Sequence, residues 1–156
     1  MRKIIFLDID GVLNCEDTAA RMNGIIGIDP FLVMEFNRII FATDAEIVLS
    51  SSWRHSAEER EEIKKKVMPF IDITPTINEK YAVRGDEVEA WLEKNIGKIF
   101  DRKDKVKYAI LDDDSDFYIW QPLFKTSWKE GLTNEIAQRV IKHLNQEENT
   151  DANNQS

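Results

Sequence analysis

Residues 3–14, "KIIFLDIDGVLN", carry an apolar run that ends abruptly in two aspartates and a glycine. The run Ile4–Ile9 has the length and β-branched composition of a strand. Asp8 and Asp10 stand where that strand would leave the interior. Alternate residues of an extended chain point the same way, so this spacing lets two carboxylates meet one ligand while Gly11 turns the chain aside.

Outward from that strand, short apolar runs alternate with amphipathic segments, the pattern of a mostly parallel sheet covered by helices on both faces. Asp29 followed by Pro30 reads as an N-cap and a first helical residue, with Leu32, Phe36, Ile39 and Ile40 on one face. "EIVLS", Glu46–Ser50, is a second strand. Ser56 with Glu59 forms a capping-box signature that opens a charged helix ending before Pro69. "FIDIT", Phe70–Thr74, predicts a short strand. Residues 86–96 predict a helix that aligns Val88, Trp91, Leu92 and Ile96, with Gly97 as its C-cap. "KYAIL", Lys107–Leu111, and the stretch Leu123–Thr126 complete the strands, and a last helix from Thr133 buries Ile136, Val140, Ile141 and Leu144.

The expectation is an α/β, Rossmann-like fold over residues 1–145, followed by a disordered polar tail at 146–156, where "QEENTDANNQS" has almost nothing to bury. At 156 residues, 42% apolar and 32% charged, the chain is most simply one globular domain. A formal net charge of −8 excludes a broad basic surface for nucleic acid, though a local basic site remains open. Cys15 is the single cysteine, so no intrachain disulfide forms and a reducing, cytoplasmic setting is expected. "IIFL" is too short for a signal segment, no window approaches the ~20 apolar residues of a membrane span, and no obligate protein partner is evident.

Ligands of open parallel sheets bind beyond the carboxyl ends of the strands. Asp8, Asp10 and Gly11 follow the first strand, Ser50, Ser51 and Arg54 the second, and Asp112, Asp113, Asp114 and Asp116 the "KYAIL" strand. Carboxylates that converge repel one another, and a bound divalent cation removes that cost. With only oxygen donors in these stretches, a hard ion is favoured, Mg2+ first.

"FLDIDGVLN" resembles motif I of the haloacid dehalogenase-like (HAD) phosphohydrolases. "IVLSSSWR" resembles motif II and "AILDDD" motif IV, in the same order, and the likeness extends from Arg2 to Leu144. A closer likeness is to the compact HAD domains of polynucleotide kinase-phosphatase and of Swiss Army Knife RNA-repair proteins, in which "SSWR", "RGDEVEAWL", "LDDD" and "GLT" occur together. The resemblance implies that Asp8 attacks phosphorus to form an aspartyl-phosphate, and that Asp10 is the general acid and base. It implies that Ser50 holds a phosphate oxygen, helped by the N–H groups after it, Ser51 among them. It makes Arg84 the motif III cation with Lys80 the runner-up, and it leaves Arg54 either binding substrate or pairing with a nearby acid. The metal set it implies is Asp8, Asp10 through its backbone carbonyl, Asp112 and Asp113. Asp114 and Asp116 are expected to cap a helix or face solvent.

About forty residues separate Asp10 from Ser50 and fewer separate Ser50 from Arg84, too few for a folded cap beyond a flap at 16–28. An open site suits a phosphate on something large, and the likeness tilts this toward a polynucleotide 3′-phosphate end. A nucleotide or other small phosphoester as substrate, or a HAD-fold binding module without turnover, are the alternatives. A calcium-binding loop is disfavoured because the acidic clusters lie about a hundred residues apart.

Overall fold

The computed structural model describes residues 1–147, and within them four α-helices cover a parallel sheet. Its strands are β1 (Arg2–Leu7), β4 (Glu46–Leu49), β5 (Asp72–Ile73), β6 (Val106–Asp112) and β7 (Leu123–Lys125), in the spatial order β5-β4-β1-β6-β7. Every neighbouring pair runs parallel. The first strand in sequence is therefore central, buried on both faces.

Alternation along β1 sorts its side chains between two cores. Ile5 and Leu7 join a cluster with Phe36 and Ile39 of α1 (Pro30–Thr43) and Val140 and Leu144 of α4 (Asn134–Asn145). Ile4 and Phe6 face the other way, packing with Val88, Trp91 and Leu92 of α3 (Arg84–Asn95). Phe6 meets the edges of Trp91 and Tyr108 at centroid distances of 5.6 and 5.8 Å, contacts worth about 0.5–1.5 kcal/mol each beyond burial. The strand that ends at the aspartates is thus clamped two residues before them.

Helix boundaries follow side-chain chemistry. Asp29 accepts the Phe31 N–H at 2.9 Å to open α1, and Ser56 accepts the Glu59 N–H at 3.3 Å to open α2 (Ala57–Lys66). Thr133 caps α4 by accepting from Ile136. The third helix begins at Arg84, two residues before the expected start, where Asp116 in the segment after β6 accepts the Arg84 N–H at 3.0 Å. Its C-cap is Ile96 rather than Gly97, with the N–H groups of both residues reaching the Leu92 carbonyl. The strand expected at Phe70–Thr74 shrinks to Asp72–Ile73 on the sheet edge, opposite Val48 and Leu49.

Between β1 and α1 the chain forms only a small antiparallel hairpin, β2 (Arg21–Met22) and β3 (Ile25–Ile26). A short 3-10 turn, Ser52–His55, lies between β4 and α2. Neither segment folds into a cap. Among the described residues, no helix is long and apolar enough to cross a membrane. Most of the tail expected at 146–156 lies outside the described residues.

Candidate active site

The registers of the three central strands decide what meets at their carboxyl ends. Leu7 lies opposite both Leu49 and Leu111, so one further step brings Asp8, Ser50 and Asp112 level. The ladder continues that step, with the Asp8 N–H on the Leu111 carbonyl at 3.0 Å and the Ser50 N–H on the Leu7 carbonyl at 2.9 Å. Each of the three follows, at a spacing of two, a residue of the core beneath α3: Phe6, Val48 and Ile110. Period-two alternation thus aims all three side chains at the face that α3 covers.

The first residue of α3 supplies the cation. Arg84 Nη1 lies 2.9 Å from Asp112 Oδ2, 3.6 Å from Asp8 Oδ1 and 3.5 Å from the Ser50 carbonyl. Burial works against the charge of Arg84, but Asp8 and then Asp112 outweigh it and hold its pKa above the ordinary value. Asp8 is 5% exposed and Asp112 fully buried. Burial first, and the charge of Asp112 second, push the Asp8 carboxyl up to about 8, with Arg84 opposing. Asp113 is pushed up by the same two causes in the same order.

One carboxylate oxygen each from Asp8, Asp112 and Asp113 lies within 4.8 Å of the others. Repulsion among them is what a divalent cation relieves, and the donors are all oxygens. Ser50 Oγ is buried and has no hydrogen-bond partner among the described residues, an orphaned polar atom that asks for a ligand. These residues fit the magnesium that HAD phosphatases typically use, and Asp8, Asp112 and Asp113 are the side chains that would hold it.

Asp10 departs from the strand-based expectation. β1 ends at Leu7, and the chain turns at once, with the N–H groups of Val12 and Leu13 both on the Ile9 carbonyl. Alternation therefore does not position Asp10. Its exposed carboxylate instead accepts from Asn14 Nδ2 at 3.0 Å and from Trp53 Nε1 at 3.1 Å, and the carboxylate cluster does not include it. Asn14 and Trp53 are roles that reading the sequence missed, although both lie inside motif segments already singled out. The buried Asn14 also accepts the Gly11 N–H at 2.9 Å.

Gly11 has φ +77°, and a Cβ there would come within 2.2 Å of Asp113 Oδ2. The glycine is needed both for the turn and for the approach of a carboxylate. Thr126 fixes this turn from β7's side, donating its hydroxyl to the Gly11 carbonyl at 2.5 Å.

The remaining expected residues divide. Ser51 is buried, and its Oγ accepts the Trp53 N–H at 3.2 Å, capping the 3-10 turn. Arg54 is buried and pairs with Glu87 at 2.6 Å while donating to the Ser50 and Ser51 carbonyls at 2.9 Å each. Of its two expected roles the geometry shows the pairing with an acid. Burial pulls its pKa below the ordinary value, against the charge of Glu87. Lys80 is exposed, its ammonium 5.1 Å above the Tyr81 ring, and among the described residues the cation paired with Asp8 and Asp112 is Arg84. Asp114 accepts from the Ser115 N–H, and Asp116 caps α3.

A sheet edge that presents carboxylates and a serine on adjacent strand ends, answered by one arginine from a helix N-terminus, is the arrangement of a HAD-type phosphohydrolase. The chain belongs to the family described as the HAD domain in Swiss Army Knife RNA repair proteins, whose model matches residues 4–137. Comparisons with curated proteins and with solved structures gave no match.

Proposed function

We propose that this chain is a magnesium-dependent phosphomonoester hydrolase that removes a 3′-phosphate from a polynucleotide end. The observation that carries the chemistry is the level alignment of Asp8, Ser50 and Asp112 opposite Arg84. An Asp8 carboxylate oxygen forms a bond to phosphorus as the bond to the leaving oxygen breaks. Asp10, held by Asn14 and Trp53, gives its proton to that oxygen. Asp10 then takes a proton from the incoming water, whose oxygen bonds to phosphorus as the link to Asp8 breaks and phosphate leaves.

Ser50 Oγ, otherwise unpartnered among the described residues, donates to a phosphoryl oxygen, and Arg84 balances the charge spread over those oxygens. Magnesium, when bound, supplies further positive charge to the phosphoryl oxygens and keeps Asp8 ionised. The polynucleotide end is supported by the family to which the domain belongs and by the absence of a folded cap among the described residues.

The test is magnesium-dependent phosphate release from 3′- and 5′-phosphorylated oligonucleotides, mononucleotides, sugar phosphates and phosphopeptides. The highest kcat/KM is expected for the 3′-phosphorylated oligonucleotide. A preference for a small phosphoester would replace the substrate, and no release from any of them would overturn the hydrolase.

A further inference from the structure

β7 pairs with β6 only from Ile110 to Asp112, so Val106–Ala109 have no strand beside them on that edge among the described residues. The Tyr108 carbonyl there faces His143, whose Nε2 donates to it at 2.8 Å. The space left by the missing strand is a pocket of about 280 Å³, lined by Lys103, Lys107, Tyr108, Trp120 and His143 among others. None of these residues belongs to the catalytic cluster.

The pocket is tied to the active site through aromatic side chains. Trp120, 57% exposed, stacks on Tyr118 with ring centroids 4.5 Å apart and planes 5° from parallel. The Tyr118 hydroxyl donates to Asp86 at 2.5 Å, in the first turn of the helix that begins with Arg84. Gln121 Nε2 donates to the Gly85 carbonyl at 2.9 Å, and a Cβ on Gly85 would come within 2.3 Å of Gln121 Oε1. The stack is thus pulled against the helix end that carries the catalytic cation, and its far side opens on the pocket.

Charge is concentrated at the same place. Residues 98–107, "KIFDRKDKVK", hold five basic side chains against two acidic ones in a chain whose net charge is −8. Arg102 is spent on Glu89, but among the described residues Lys103 makes no ion pair. Flat aromatic faces stack on any base and lysines donate to the phosphates between bases, the combination that binds single strands without reading sequence.

We propose that the Tyr118–Trp120 stack and the Lys103/Lys107 pocket bind the single strand that leads to the scissile phosphate. The inference rests on the polynucleotide reading of the active site and adds to it the path of the strand. Trp120 stacks on a base one or more nucleotides from the reacting end, and Lys103 and Lys107 neutralise backbone phosphates.

Fluorescence anisotropy with a labelled 3′-hydroxyl oligonucleotide tests this apart from catalysis, since that probe has no phosphate to hydrolyse. Trp120→Ala is expected to weaken binding about tenfold. Lys103→Ala and Lys107→Ala should each reduce the slope of log K against log salt by about 0.7, a change that a merely structural role would not produce. Turnover of a generic aryl phosphate by all three variants should stay at the wild-type rate. Failure of the wild type to bind, binding by the variants equal to the wild type, or equal competition by a polyglutamate peptide would overturn the path. If the variants lose binding while 3′-phosphorylated ends are not preferred substrates, the path stands and the substrate reading falls.

Discussion

Asp8 and Asp10 are two residues apart and live in opposite surroundings. Asp8 is buried at a ladder end, its own N–H on the Leu111 carbonyl of β6 and the preceding Leu7 carbonyl accepting from Ser50 after β4. Asp10 is exposed in a turn, its position fixed by Asn14 and Trp53. The difference matches what each group must do. A nucleophile gains from a rigid, water-poor setting beside a cation, whereas an acid-base group must be reached first by the leaving oxygen and then by the incoming water.

Removing the two carboxylates should separate those roles most strongly. Asp8→Asn is expected to cost at least about 10⁴-fold in kcat, because no covalent intermediate can form. Asp10→Asn should cost about 10²–10⁴-fold, and less for a substrate whose leaving group needs no proton, such as an activated aryl phosphate. Steady-state kinetics with activated and unactivated esters checks both. Equal losses on the two esters would erase the distinction.

The buried member should also leave a mark on stability. Without magnesium, burial and then the charge of Asp112 push the folded Asp8 carboxyl up to about 8, from 3.8 for an ordinary one. Between those values the folded chain binds more protons than the unfolded one, so stability falls as pH rises through the window, by a few kcal/mol. Denaturation midpoints at the two ends of that window should show the fall in the wild type, less of it in Asp8→Asn, and less with magnesium present. Identical slopes for wild type and variant would remove Asp8 as the source.

At the turn, Gly11→Ala is expected to destabilise the protein by about 2 kcal/mol or more, since it combines a left-handed backbone with an overlap at Asp113. Urea unfolding measures it, and a neutral result would mean that the carboxylate moves aside freely. Asn14→Ala should lower kcat about tenfold, with magnesium affinity unchanged. An unchanged kcat would leave Trp53 alone to orient Asp10.

The same contrast explains what the sequence made legible. Apolar runs and their spacing place β1, β4 and β6, and register then brings Asp8, Ser50 and Asp112 level without further information. Arg84 was recognisable by its place before a helical pattern, although the start of that helix depends on Asp116, far away in sequence. The partners of Asp10 follow from the geometry of a turn and from a side chain in the 3-10 segment after β4, neither of which has a period. The acid that pairs with Arg54 likewise comes from α3, which sets Glu87 beside it. The hairpin β2–β3 turns at Asn23-Gly24, both with positive φ, a local signal that was present in the sequence and went unused.

The claim on which the rest depends is that Asp8 is phosphorylated during turnover. Rapid acid quench of the enzyme with magnesium and a 3′-phosphorylated oligonucleotide or an aryl phosphate, followed by peptide mass spectrometry, reads it directly. The account expects a phosphoryl adduct on the peptide containing Asp8, formed at a rate competent for turnover and absent from Asp8→Asn. Full turnover without an adduct, or with Asp8→Asn retaining activity, would contradict it.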